Sequence, residues 1–213
     1  ARLNIFLGRL GGALTASDFS LFKKNHLSHH RHYGTDKDPE GYEIMQLAKR
    51  SSTERLRYLL KPLLGLSALQ VLQAHHGQDQ DRSQTKLPII EILLAQLAIL
   101  LIITRNLAIP ELIAVYPFSA ATLALFFSRT RGFCEHVSFS IEHIGVARSH
   151  RPRLLDRLFF YTMNMNYHLE HHLYPSIPSE RLPEVQKLIG NKTVDPNSYA
   201  GSIIDTVIRG CKR

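Results

Sequence analysis

Histidine makes up 12 of the 213 residues, and its spacing is what chemistry could use. The stretch NYHLEHHLYP sets His168, His171 and His172 around Glu170, and NHLSHH repeats the H-x-x-H-H pattern at His26, His29 and His30. On a helix, positions i, i+3 and i+4 share a face about a turn apart, so each triplet presents three converging imidazoles. Neutral imidazole binds iron, copper or zinc. A random chain of this composition would carry two such triplets roughly once in a thousand, a generous allowance for motif false positives. The pair reads as one metal centre built from both ends of the chain.

A structural zinc needs four ligands and a catalytic zinc three plus water. Six or seven histidines exceed both needs and fit two adjacent irons that activate oxygen, with histidine in place of most of the carboxylate used by Glu-x-x-His bundles. The seventh candidate is His136, which follows Glu135. His143 beside Glu142 is a weaker one, and His150 between Arg148 and Arg151 reads as solvated. His32 lies off the face of its triplet, and His75 and His76 sit in a polar stretch, so none of the three is assigned a ligand role. Asp36, Asp38 and Glu40 of YGTDKDPEGYE could hydrogen-bond the distal imidazole nitrogens, as could Glu135 and Glu170, fixing tautomer and ring orientation. For the loop carboxylates a solvated acidic turn reads equally well.

Elements must bring the two triplets together. Leu87–Thr104 and Leu107–Phe127 are apolar runs of about the 17–25 residues a helix needs to cross a bilayer, and we read them as a transmembrane hairpin. A buried helical pair in a soluble protein is the competing reading. Of the 26 Lys and Arg, 25 lie outside Leu87–Ser128, and Arg105 marks the turn. The positive-inside rule then puts both flanks, and so both triplets, on the cytoplasmic side. The expected fold is all-α, a polytopic membrane protein whose cytosolic helical cap carries the histidine boxes. In one domain over 1–213, residues 1–16 end a transmembrane helix, 17–86 are cytosolic, 87–128 form the hairpin, and 129–213 form the cap. Within these, Thr53–Leu72 reads as an interfacial amphipathic helix. Ser179 caps a helix with an apolar stripe at Leu182, Val185, Leu188 and Ile189, and a second stripe runs through Ile203, Ile204, Val207 and Ile208.

The net charge of +8 and pI near 9.7 come without a basic stripe interleaved with aromatics, so nucleic acid is excluded as a partner. Anionic lipid and an acidic redox partner account for the charge. Cys134 and Cys211 make no C-x-x-C pair, which excludes an iron–sulfur cluster held by this chain alone.

HLSHH followed by RHYGTDKDPE, EH at Glu135 and His136, and NYHLEHHLYPSIPSERLP from Asn166 together resemble the membrane fatty acid desaturase superfamily, particularly acyl-lipid desaturases. The resemblance covers nearly the whole chain. It implies a di-iron centre on His26, His29, His30, His136, His168, His171 and His172, with molecular oxygen as co-substrate. It also implies an acyl lipid or acyl thioester substrate, and electrons from an external ferredoxin- or cytochrome-type donor. Lipid or carotenoid hydroxylation or ketolation uses the same irons and is the alternative within the superfamily; a non-catalytic metal-binding membrane protein is the alternative outside it. The family's first box, HxxxH, is missing before His26, so the expectation is an N-terminally truncated chain short of two ligands.

Overall fold

The computed structural model describes residues 2–40, 42–67, 86–106, 114–137, 147–189 and 198–212. These are mostly helical, as expected; the strands described are two-residue β1 (Ser149–His150) and β2 (Tyr199–Ala200), paired in parallel.

Helix α1 (Arg2–Leu14) packs against α5 (Lys86–Asn106). Arg9 Nε donates to Glu91 Oε2 at 3.0 Å, and Gln96 Nε2 to the Ala13 carbonyl at 2.8 Å. Tyr116 of α6 (Val115–Ser119) completes the tie by donating to Gln96 Oε1 at 2.9 Å. The chain reverses tightly after α1. A Cβ on Gly12 would come 2.7 Å from the Ser17 carbonyl, so the return requires glycine there. Asp18 then caps α2 (Phe19–His32), accepting from the backbone N–H groups of Ser20 and Leu21.

Helices α3 (Tyr42–Leu47) and α4 (Ser52–Leu60) follow, α4 opening on a Ser51/Glu54 capping box. Pro62 and the left-handed Gly65 (φ 71°) tighten the continuation into a 3₁₀ turn, Lys61–Leu64. The buried guanidinium of Arg55 donates to the carbonyls of Leu47, Ala48 and Gly210, capping two helix ends at once. From α6 the path continues through a π-helical turn, Ala120–Ala124, into α7 (Leu125–His136). Beyond β1 come α8 (Leu154–Phe159), α9 (His168–Leu173), α10 (Leu182–Ile189) and α11 (Ile203–Lys212).

α7 is the hub. Phe133, Cys134 and Val137 are fully buried in a core with Ile44 of α3, Leu59 of α4, Ile203 of α11 and Tyr161, which follows Phe160 in the chain. Arg148 closes its C-terminal end, its guanidinium donating to the Cys134 and Val137 carbonyls at 2.8 and 3.1 Å.

Among the described residues no helix is long and apolar enough to cross a membrane. The first expected hairpin arm coincides with α5, whose side chains are described over 89–105; residues 107–113 of the second lie outside the described set. The C-terminal stripes need correction. Ser179 opens the 3₁₀ turn Ser179–Arg181 that leads into α10, with Pro178 at its N-cap, and Leu188 is 87 % exposed, so only Leu182 and Val185 of that stripe are buried. Ile203 is buried while Ile204 and Ile208 face outward.

Candidate metal centre

α2 and α9 bring the two triplets together, and each triplet divides. His26, His30 and His171 form one group: their Nε2 atoms lie 3.2 Å (His26–His171), 3.2 Å (His26–His30) and 2.9 Å (His30–His171) apart. The other group links His136, His168, His172 and His29, with successive Nε2 separations of 2.9, 3.1 and 3.3 Å. The groups adjoin, the His30 and His172 rings having centroids 4.5 Å apart. The i and i+4 residues of the first box serve the first group, and its i+3 residue serves the second. In the second box the assignment is reversed.

The spacing suits metal ions. With metal–nitrogen bonds of 2.0–2.1 Å, two ligands at right angles sit about 3.0 Å apart. Hydrogen bonding among the rings cannot account for every one of these contacts, since a neutral imidazole offers at most one proton at Nε2. His29 Nδ1 lies 2.7 Å from Asp38 Oδ1 and His26 Nδ1 lies 3.1 Å from Glu40 Oε2, which assigns their protons to Nδ1 and leaves Nε2 with only a lone pair. Lone pairs converging at about 3 Å repel unless a cation lies among them. His26, His30 and His171 on one side, and His29, His136 and His172 on the other, could each hold an ion.

Burial prepares these rings as ligands. It pushes His30 and His171 down to about 4, with neighbouring imidazoles adding to the effect. His136 is pushed to about 3 by burial and then His29, and His168 and His172 also fall well below the ordinary value. Rings so disposed are neutral, the form that coordinates metal.

Their outer partners differ from expectation in two places. Asp38 and Glu40 reach imidazoles, but Asp36 is exposed and does not. Glu135 lies 3.9 Å from His168 Nδ1 and 3.8 Å from Arg131, and burial raises its carboxyl to about 7. Glu170 turns away from the rings. It is fully buried, accepts from the Ser149 hydroxyl and, at 2.9 Å, from the Tyr199 hydroxyl, and so ties α9 to β1 and β2. Ser149 Oγ also accepts the Leu169 N–H at 2.9 Å. Ahead of α9, Met163 and Asn164 take left-handed φ of 54° and 62°, a strained turn that aims the box at α2.

His150 is also corrected. It is 2 % exposed, stacks on Tyr161 and lies 3.3 Å from Thr206 Oγ1; its basic neighbour Arg148 is itself buried as a helix cap. His32 bonds Ser28, away from the metal groups. His75, His76 and His143 lie outside the described residues. Sequence reasoning missed Tyr33, whose hydroxyl lies 3.2 Å from His136 Nδ1. Its position four residues after His29 was the available signal.

A cavity of about 450 Å³ adjoins both groups, with Phe22, Ile44, Tyr58, Leu125 and Met165 among its walls. A mostly helical protein whose histidines gather into two candidate metal groups beside a partly apolar cavity falls in the class of histidine-box oxidoreductases. More specifically, the chain belongs to the fatty acid desaturase family, whose sequence model matches residues 1–199. No curated protein and no solved structure matches the chain.

Proposed function

We propose that this protein is an oxygen-dependent di-iron desaturase that places a double bond in an acyl chain. The observation that carries the reading is the pair of interleaved Nε2 clusters opening on one cavity. In balance, an acyl –CH2–CH2– unit, O2, two electrons and two protons give –CH=CH– and two waters. Bound iron would supply oxygen activation and hydrogen abstraction from an unactivated methylene. His26, His30 and His171 would hold one ion, and His29, His136, His168 and His172 the other. Asp38, Glu40 and Tyr33 fix ring orientation from behind. Phe22, Ile44 and Leu125 exclude water and align the chain. Electrons come from a separate ferredoxin- or cytochrome-type donor.

We further propose an integral membrane protein with its histidines on the cytoplasmic side. Phe6, Leu93, Leu94 and Ile102 on α1 and α5 are more than half exposed, an apolar surface that suits lipid. Leu64, Leu154, Leu155 and Ile204 on the 3₁₀ turn, α8 and α11 are exposed as well, and α4, α8 and α11 also carry the basic residues Arg57, Arg157 and Arg209, a mixture that an anionic interface favours.

The test is expression with a reduced donor system, followed by mass spectrometry of the lipids and elemental analysis of the purified protein. The expected results are acyl chains two hydrogens lighter, lost in His171→Ala, and bound iron. Products gaining oxygen instead would make it a hydroxylase, and zinc without iron would remove the redox reading.

A further inference from the structure

The cavity beside the histidines is only in part apolar. Glu40, Ser128, Arg129, Arg131 and Glu135 line it together with Phe22, Leu125 and Met165. At about 450 Å³ it has the size of a ligand site, where a few placed polar groups decide how a ligand lies. Ser128, Arg131 and Glu135 follow one another at spacings of three and four along α7, which puts them on one face. They form a polar stripe running from exposed Ser128 to buried Glu135 beside the metal groups.

Two of the charged groups are committed to the protein. Glu40 Oε2 lies 3.1 Å from His26 Nδ1. Arg129 Nη1 donates to Ser67 Oγ at 3.0 Å, and its guanidinium lies 4.5 Å from the centroid of the Tyr58 ring. Arg131 is different. Its Nη1 donates at 2.9 Å to Met165 Sδ, a weak acceptor, and its Nε stands 3.8 Å from Glu135 Oε2, outside hydrogen-bond reach. Among the described residues its Nη2 meets no acceptor. The same Glu135 oxygen lies 3.9 Å from His168 Nδ1, so a single carboxylate oxygen separates this guanidinium from a metal-binding ring. A planar donor fork with no oxyanion matched to it thus faces the cavity close to the metal groups.

We infer that Arg131 is the head-group site of this cavity and takes the oxyanion at the end of the substrate's chain, a carboxylate or a phosphate monoester. Guanidinium meets either one bidentately. This rests on the acyl-chain reading above and narrows it to chains with a charged head. Because the head is held beside the metal groups, the oxidised bond lies near the head and its position is counted from that end. Carbons added at the far end of the chain leave that position unchanged.

The test uses iron-loaded protein in neutral detergent micelles at alkaline pH, where a fatty acid is ionised. Displacement of a fluorescent polyene fatty acid is read for a saturated acid, its methyl ester and the alkyl phosphate of the same chain. In the wild type an oxyanion is expected to displace about tenfold better than the ester or more, the size of a hydrogen bond to a charged group, and the better of the two oxyanions identifies the head. Arg131→Gln, with circular dichroism and iron content as in the wild type, is expected to bring the oxyanions down to the ester and leave the ester unchanged. Arg131→Lys keeps the charge, loses the fork and is expected to fall between. Products from the better-bound head at graded chain lengths are expected to carry the double bond at a constant distance from the head, and a bond counted from the methyl end overturns the inference. Equal displacement by all three probes in the wild type also overturns it, and that comparison needs no variant to fold. An oxyanion preference that survives Arg131→Gln assigns the head to the metal ions and overturns the site, as does equal weakening of acid and ester, the mark of a structural role. A wild-type protein that binds none of the three probes overturns the acyl reading beneath.

Discussion

Replacing Asp38 with Asn probes how the loop after the first box controls one metal and not the other. The Asp38 and His29 side chains are 0 % and 1 % exposed and meet at 2.7 Å, the length of a charge-assisted hydrogen bond. Asp38 Oδ1 also accepts the Glu40 N–H at 3.0 Å, so the carboxylate cannot swing away. Asn keeps the shape, loses the charge, and can present its NH2 to Nδ1. That orientation would move the ring proton to Nε2, the atom facing the metal group, and block coordination. Losing such an outer partner costs about 10–100-fold in metal affinity, or roughly 1.4–2.7 kcal/mol. Full burial puts Asp38→Asn near the upper end. Glu40 and His26 are 33 % and 28 % exposed and 3.1 Å apart, and solvent screening puts Glu40→Gln near the lower end. Titration of the metal-free protein with Co(II), followed by visible absorption, resolves the two equivalents. Asp38→Asn should weaken one by about a hundredfold and Glu40→Gln the other by about tenfold. Equal loss at both equivalents in either variant would refute the division of the boxes.

Three further outcomes are expected. The folded state holds His30 and His171 down near 4 and His136 near 3, so between about pH 6.5 and 4 the unfolded chain binds more protons. The metal-free protein should therefore lose stability as pH falls through that window, and a thermal midpoint flat from pH 7 to 4 would contradict this. Glu170→Ala strips Ser149 and Tyr199 of their acceptor and should cost about 2–4 kcal/mol, seen as a lower melting temperature; Glu170→Gln should leave metal affinity near wild type, and a tenfold loss would return Glu170 to the metal's outer shell. The chain has no tryptophan, so Leu97→Trp and Leu155→Trp are clean reporters in vesicles with brominated lipids. Leu97→Trp should be quenched by deep bromines whatever the lipid charge, and Leu155→Trp by shallow ones when anionic lipid is present; quenching of neither would overturn the membrane placement.

The helical ground plan and the meeting of the two boxes were legible because periodicity and motif spacing are local properties. What escaped depended on neighbours distant in sequence. His150 looked solvated between two arginines, yet Thr206 and Tyr161 bury it, and Arg148 is drawn inward by the carbonyls at the end of α7. The two-residue pairing of β1 with β2 has no signature of its own. Asp36 and Asp38 were equivalent as letters in a loop, and only the turn after His32 decides that one faces solvent and the other His29. Glu170 could have been placed correctly: two residues past His168 is about 200° around a helix, which aims it away from the imidazoles.

The same helical arithmetic explains why H-x-x-H-H makes two metal groups. At about 100° per residue, the i and i+4 rings stand about 40° apart, whereas the i+3 ring stands about 60° to the other side of i. Each box therefore offers a close pair and one outlier. When α2 and α9 face each other, the pair His26 and His30 meets the outlier His171, and the pair His168 and His172 meets the outlier His29. His136, carried on the hub helix, joins the second group through His168. Neither box alone can build either group, since a pair without the opposite outlier has two nitrogens and an outlier alone has one. The motif thus couples the two ends of the chain, and α7 with its Arg148 cap holds the third side of the centre in register with them.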